Sequence, residues 1–286
     1  MAEAPPVVLT IAGFDPSSGA GITADIKTIA AHGCYGVACL TALTVQTTAG
    51  VARVDPVSPA LISATLGELA ADVKIAAIRI GMLGSGAVAR TVADFLASAR
   101  AENVVLDPVL KSTSGAELLD VPGLKILRER LLPLATVVTP NMQEAATLAG
   151  VPVKNPDQMK VAAARLHDMG APNVVVTGGE LDKATEFLSF TNPRGKREEQ
   201  WFRAERLRST STHGTGCAFA TALACHLALG RAVPEGVLLA KAYVAAAIAN
   251  AHPLGRGTGP VHHLYRMEQR PRRSAVHDPE PVAEGS

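Results

Sequence analysis

The residues best suited to chemistry stand together at Thr212-His213-Gly214-Thr215-Gly216-Cys217, just before the apolar run 218–229. Two glycines let the backbone turn tightly with no Cβ in the way. The run that follows reads as a long buried helix. The unpaired N–H groups of its first turn, with the helix dipole, make a site for a phosphate or another anion. Cys217 falls at that positive end, where a thiol loses its proton more easily. The six residues fit a second reading equally well, a tight turn with a buried cysteine, because free cysteine is usually core.

Such chemistry needs partners held at fixed points, and the rest of the chain is patterned to hold them. Short β-like runs at 7–12, 37–42, 77–80, 104–106, 136–138 and 174–176 alternate with helical patterns. The helices are expected over 22–32, 59–69, 88–101, 121–132, 142–148 and 156–169, with further core helices over 218–229 and around 237–251. This rhythm predicts an α/β fold, a doubly wound and mostly parallel sheet flanked by helices. From Glu186 the texture changes to an antiparallel hairpin, 187–191 and 200–202 around Asn192-Pro193-Arg194-Gly195, at the sheet edge. A single domain is expected over 6–265, with 266–286, rich in Arg, Pro and Glu, as a disordered tail.

Open α/β sheets bind ligands at the carboxyl ends of their strands, and polar or glycine-bearing segments recur at those points. Gly13 opens a glycine and serine loop after the first strand, and Asp25 lies one turn into the next helix. Gln46 follows the second strand, Met82 the third, Asp107 and Val109 the fourth. Asn141 and Glu144 follow the fifth, and Thr177 and Gly179 the sixth. Each has a plainer alternative. The glycine loop fits neither a P-loop nor a dinucleotide fingerprint, Asp25 could serve the helix N-terminus, and Asn141 is a good N-cap in any case.

Composition removes several classes of function. The 286 residues are 48% apolar and only 3% aromatic, so the core is built from Ala, Val, Leu and Ile. A net charge of +1 gives no electrostatic case for nucleic acid or a membrane surface. The apolar runs are interrupted by His226, Lys241 and Tyr243 and read as core helices. The N-terminus has no basic region of a signal peptide, and the four cysteines lack metal-ligand spacing, which predicts a reduced, cytoplasmic protein.

Taken in order, these pieces resemble the ribokinase superfamily, and within it the hydroxymethylpyrimidine/phosphomethylpyrimidine kinases of thiamin biosynthesis. The resemblance rests on 10–15 with 19–28, Thr41 to Gln46, Ile80-Gly81-Met82-Leu83, Asp107-Pro108-Val109, Thr139 to Ala145, His213 to Cys217 and Gly257 to His262. It implies ATP and Mg²⁺ as cofactors, a small-molecule pyrimidine as substrate and a homodimer. By it, Gly214, Thr215, Gly216 and Cys217 would form the transfer site, with Cys217 accepting the alcohol proton or holding the alcohol. Most sugar kinases of the superfamily carry an aspartate there. Gly13, Asp25, Gln46, Met82 and Val109 would form the substrate pocket, the Gln46 amide offering a donor and an acceptor to an aminopyrimidine edge. Asn141, Thr177, Gly179, Thr212, Thr215 and Lys241 would face ATP, and Asp107 and Glu144 would order Mg²⁺. A pyridoxal or pyridoxine kinase and a non-catalytic pyrimidine-binding protein on the same fold are the alternatives.

The chain departs from its relatives at one place. They commonly carry Lys-Gly-Gly-His where this sequence has Thr177-Gly178-Gly179-Glu180. Lys111, where an apolar residue is more usual, either supplies part of the missing positive charge or points into solvent.

Overall fold

The computed structural model describes residues 4–112, 115–179 and 181–268. One nine-stranded sheet runs through it in the order β3-β2-β1-β4-β5-β6-β7-β8-β9. Its strands are β1 (Val7–Phe14), β2 (Tyr35–Thr47), β3 (Gly50–Pro56), β4 (Ile75–Ile80), β5 (Val104–Leu106), β6 (Val137–Val138), β7 (Val174–Gly178), β8 (Lys183–Thr191) and β9 (Arg197–Glu205). From β2 through β7 all pairings are parallel, while β3, β8 and β9 are antiparallel. The hairpin expected near 187–202 is the pair β8–β9.

The helices are α1 (Gly21–Ala31), α2 (Pro59–Asp72), α3 (Gly86–Ala99), α4 (Val121–Ile126), α5 (Leu132–Leu134), α6 (Met142–Ala149), α7 (Pro156–Asp168), α8 (Thr215–Ala228), α9 (Val233–Ala249) and α10 (Tyr265–Glu268). A π-helical turn, Leu127–Leu131, joins α4 to α5, so the helix expected over 121–132 is bent through three segments. Starts follow local chemistry: Ser58, Ser85, Asp120 and Asn155 each cap a helix through a side-chain oxygen.

Alternation along the strands builds the two cores. Leu9, Ile11, Ile78, Ile80, Leu106 and Val176 face one layer with α2, α3, α6 and α7. Val8, Ala77, Val105, Val137 and Val175 face the other, where the alanine-rich α8 and α9 pack. Parallel strands covered on both faces read as unbroken apolar runs, as β1 does. No helix of the described residues is long and apolar enough to cross a membrane.

Two expectations need correction. The second strand does not stop at residue 42 but continues to Thr47, because Gly50–Pro56 returns antiparallel beside it. Gln46 therefore lies within β2, where period-2 geometry puts it on the same face as Thr44 while Leu43 and Val45 stand exposed. Of the tail expected over 266–286, residues 266–268 belong to α10, and 269–286 lie outside the described residues, as does Glu180.

Candidate active site

The strand order reverses between β1 and β4, and a cavity of about 450 Å³ opens at the carboxyl ends of the strands on both sides of that switch. Its floor is the start of α8. Gly214 takes a left-handed φ of 82° at the N-cap, and a Cβ there would collide with the Gly19 carbonyl. No side chain caps this helix. The Thr215 N–H donates to Thr212 O at 3.3 Å, which leaves the N–H groups of Gly216 and Cys217 for a ligand, and a Cβ on Gly216 would meet only open space. The Thr215 hydroxyl donates to Thr212 O at 2.6 Å, closing the turn.

Beneath this floor lies a charge cluster centred on Arg79, the one charged residue of the apolar strand β4. Its side chain is fully buried. It donates to Asp25 Oδ2 at 3.0 Å and to Asp107 Oδ2 at 2.6 Å. Asp25 also accepts from Thr10 Oγ1 at 2.6 Å and Thr221 Oγ1 at 2.7 Å. Gly81 is required here, since any Cβ on it would enter the guanidinium. Burial raises both aspartates above the usual carboxylate range, with Arg79 opposing the rise.

Cys217 keeps part of its surface open to the cavity and hydrogen-bonds toward Arg79 and Asp107. Burial pushes its thiol up to about 12; Arg79 pulls it back, and the charges of Asp107 and Asp25 push further. Burial, and then the charges of Asp107 and Asp25, thus oppose the easily lost proton expected at a helix N-terminus. At neutral pH this sulfur carries its proton.

Glu144 is locked in a capping box on α6. The Asn141 N–H donates to its Oε2 at 2.9 Å, and the Glu144 N–H donates to Asn141 Oδ1 at 2.9 Å. Burial, then the charge of Asp107, pushes its carboxyl up to about 8. Two buried carboxyls, both raised by burial and one of them by the charge of the other, are a fit for a dication. Among the described residues no group of three or more His, Cys, Asp or Glu side chains forms a metal cage. That suits Mg²⁺, which is held by one or two carboxylates with phosphate and water completing its shell.

On the opposite wall, Asp15 Oδ1 accepts from the N–H and hydroxyl of Ser17 at 2.8 and 2.7 Å. Its Oδ2 accepts from Ala20 N–H at 2.9 Å and stands 2.8 Å from His213 Nε2. Burial alone would raise this carboxyl, but those hydrogen bonds outweigh it and hold the group below its ordinary value. Gln46 approaches the same imidazole nitrogen at 3.4 Å.

The cavity thus gathers Gly13, Gln46, Met82, Asp107, Val109, Asn141, Glu144, Thr177, Thr212 and Gly214 to Cys217. Three expected residues are not among its lining. Asp25 is sealed beneath Arg79 instead of touching a ligand. Lys241 points to β8, where its ammonium bonds Ala184 O and Glu186. Gly179 is exposed beyond the end of β7. Lys111 stands at the mouth, half exposed and paired with Glu117 at 2.7 Å.

The model of the phosphomethylpyrimidine kinase family matches residues 15–262, most of the described chain and all of this cavity wall from Asp15 onward. The chain belongs to that family. It is 43% identical to the hydroxymethylpyrimidine/phosphomethylpyrimidine kinase of Streptomyces coelicolor, over 92% of this chain and 96% of that one. It is 42% identical to the thiamine biosynthesis bifunctional protein ThiED of Geobacter sulfurreducens, covering 91% of this chain but spanning only 53% of that longer protein. Among solved structures, the pyridoxal kinase from Staphylococcus aureus in complex with AMP-PCP and pyridoxal superposes with a TM-score of 0.81 at 33% identity, covering 91% of this chain and 94% of that one.

For a phosphomethylpyrimidine kinase, the sequence reading missed three groups. Arg79 had a signal, a lone arginine inside an apolar strand, which only buried carboxylates could satisfy. Asp15 and His213 were visible inside motifs, but their pairing joins positions 198 residues apart. Thr44 needed the extension of β2, whose signal is the alternation of 43–47.

Proposed function

We propose that this chain transfers the γ-phosphoryl group of ATP to the hydroxymethyl oxygen of 4-amino-5-hydroxymethyl-2-methylpyrimidine, and then phosphorylates the monophosphate, in thiamin biosynthesis. The observation that carries the reading is one cavity holding both an uncapped helix N-terminus and the Gln46 amide. The amide matches the ring nitrogen and amino group of an aminopyrimidine. The helix start matches the oxygens of a transferring phosphoryl group.

In the transfer, the alcohol oxygen bonds to phosphorus as the bond from phosphorus to the ADP oxygen breaks. The N–H groups of Gly216 and Cys217 stabilise the equatorial oxygens. Cys217, whose thiol is pushed up by burial and by the charges of Asp107 and Asp25, would hold the alcohol in line. In a loose transition state little proton transfer is needed before the bond forms, so the alcohol proton can leave to the phosphoryl oxygens or water. Asn141, Thr177, Thr212 and Thr215 line the side where the nucleotide phosphates would lie. Asp107 and Glu144 would hold Mg²⁺, whose charge would neutralise the phosphates.

A pyridoxal kinase is the second reading, favoured by the shared fold with a kinase solved around pyridoxal. Mass spectrometry of products from hydroxymethylpyrimidine and from pyridoxal, each with excess ATP and Mg²⁺, separates the two. Mono- and diphosphate from the pyrimidine are expected. Turnover of pyridoxal alone would overturn the proposal, and ATP-independent binding with no product would make the chain a binder. The homodimer would use the exposed Leu43 and Val45, which share one face of β2, and is read by sedimentation.

A further inference from the structure

The hydrogen bonds around Gln46 carry more than a generic polar contact. All four contacts on the Asp15 carboxylate come from donors or from His213 Nε2, so that nitrogen must carry a hydrogen to approach Oδ2 at 2.8 Å. With the Gln46 nitrogen toward His213, two donors would face each other at 3.4 Å. On the other side, Thr44 Oγ1 stands 3.3 Å from Gln46 Oε1, but it already donates its one hydrogen to Phe14 O at 2.8 Å. An acceptor would then face an acceptor. Exchanging the amide oxygen and nitrogen removes the clash of acceptors at Thr44 and puts an acceptor in place of the facing donor at His213. The Gln46 NH₂ then donates to the Thr44 hydroxyl, and the His213 Nε2–H, whose hydrogen goes first to Asp15 at 2.8 Å, has the Gln46 oxygen as a longer second acceptor at 3.4 Å. Amide orientation is fixed by its partners in this way.

We propose that Asp15, through His213, and Thr44 lock the Gln46 amide with its oxygen toward His213, and that this lock makes the pocket select an aminopyrimidine over its deaminated 4-oxo counterpart. The inference rests on the proposed function and deepens it. The free fork of the locked amide offers an N–H on the Thr44 side and an oxygen on the His213 side. An aminopyrimidine presents, in order along one edge, the acceptor N3, the 4-amino donor and the 5-hydroxymethyl group. The ring fits with its amino group on the His213 side. Its hydroxymethyl group then extends toward Gly214, the residue after His213, where α8 begins. The 4-oxo ring has N3–H and a carbonyl, the reverse pattern, and can pair in the same pose only if the amide rotates out of its lock. His213 and Thr44 act through Gln46 and are positioning residues.

The test compares kcat/KM for 4-amino-5-hydroxymethyl-2-methylpyrimidine and its 4-oxo analogue. Two lost neutral hydrogen bonds correspond to about 30-fold, the preference expected of the wild type. Thr44→Val and His213→Phe should each cut that ratio about fivefold or more. His213→Gln, which keeps an N–H donor, should restore most of it. A merely structural role would lower both rates together and leave the ratio alone. If the amino ring is turned over and the ratio is unmoved in Thr44→Val and His213→Phe, the lock is wrong while the function stands. If neither ring is phosphorylated the function fails. Neutron diffraction from the deuterated wild-type protein then still decides the lock: deuterons on the amide atom facing Thr44 are expected, and deuterons on the atom facing His213 overturn it.

Discussion

Arg79→Met is the substitution from which most can be learned. The guanidinium is fully buried and bonds two carboxylates, at 3.0 and 2.6 Å. Methionine fills a similar apolar volume, so the loss comes from leaving Asp25 and Asp107 without a counter-charge. Removing one partner of a buried ion pair costs about 3–5 kcal/mol, roughly 6–10 °C in Tm at about 2 °C per kcal/mol for a chain this size. The pH dependence identifies the cause. Both aspartates already titrate above 3.8 in the fold, and losing Arg79 raises them further. A carboxyl whose folded value is raised binds its proton more tightly when folded. The penalty is therefore absent below about pH 3.8 and grows as pH rises through the folded value. Urea unfolding of variant and wild type at pH 4.5 and 7.5 should show a smaller deficit at the lower pH. Equal deficits would make the loss one of packing, and a deficit under about 1 kcal/mol at pH 7.5 would refute the buried-charge argument.

Other expectations follow from the same geometry. Cys217→Ala should keep the fold and lower turnover about 10–100-fold, the loss of a positioning contact; a loss beyond ~10³-fold would return the general-base role to the sulfur. Cys217→Asp should gain activity as pH rises from 6 to 8, because the burial and the charges of Asp107 and Asp25 that raise the thiol would also raise a carboxyl placed there. Burial lowers His32 and His263 to about 4, so their contribution to stability is complete above pH 6.5 and is lost as pH falls toward 4. Urea midpoints should drop over that window, and His32→Gln should flatten the drop. Lys111→Ala should change ATP saturation less than about fivefold, since an exposed ion pair is worth about 0–1 kcal/mol. A tenfold rise would restore Lys111 as a phosphate ligand.

What the sequence made legible was what local pattern encodes. The unbroken apolar run of β1, the capping signature Asn141-Met142-Gln143-Glu144 and the glycines before α8 each carry their geometry in a few neighbouring residues. Contacts between distant segments were not legible. Lys241 looked available to a nucleotide because nothing local shows that Glu186 and Ala184 of β8 would claim its ammonium. Asp25 looked like a ligand contact because its helix position is the same whether it faces a cavity or Arg79. The thiol of Cys217 failed differently. The helix-start effect was read correctly as local physics, and the opposing carboxylates arrive from β5 and α1, more than 100 residues earlier in the chain.

The charges under α8 explain why a thiol stands where most sugar kinases of the superfamily place an aspartate. Asp25 and Asp107 already share one buried cation, Arg79, and Glu144 is pushed to about 8 by burial and by Asp107. A further carboxylate about 4 Å from any of them would add roughly 4 kcal/mol of repulsion at the effective dielectric of such sites. A neutral sulfur fills the space without that charge, and it leaves the Gly216 and Cys217 N–H groups to face phosphate oxygens. Because Asp25 is sealed by Thr10, Thr221 and Arg79, it acts on the reaction only by holding the guanidinium. Arg79 in turn fixes the Asp107 oxygen that would face a dication. The floor of the cavity is thus built on backbone dipoles and one buried arginine, and a thiol at position 217 adds no further carboxylate to it.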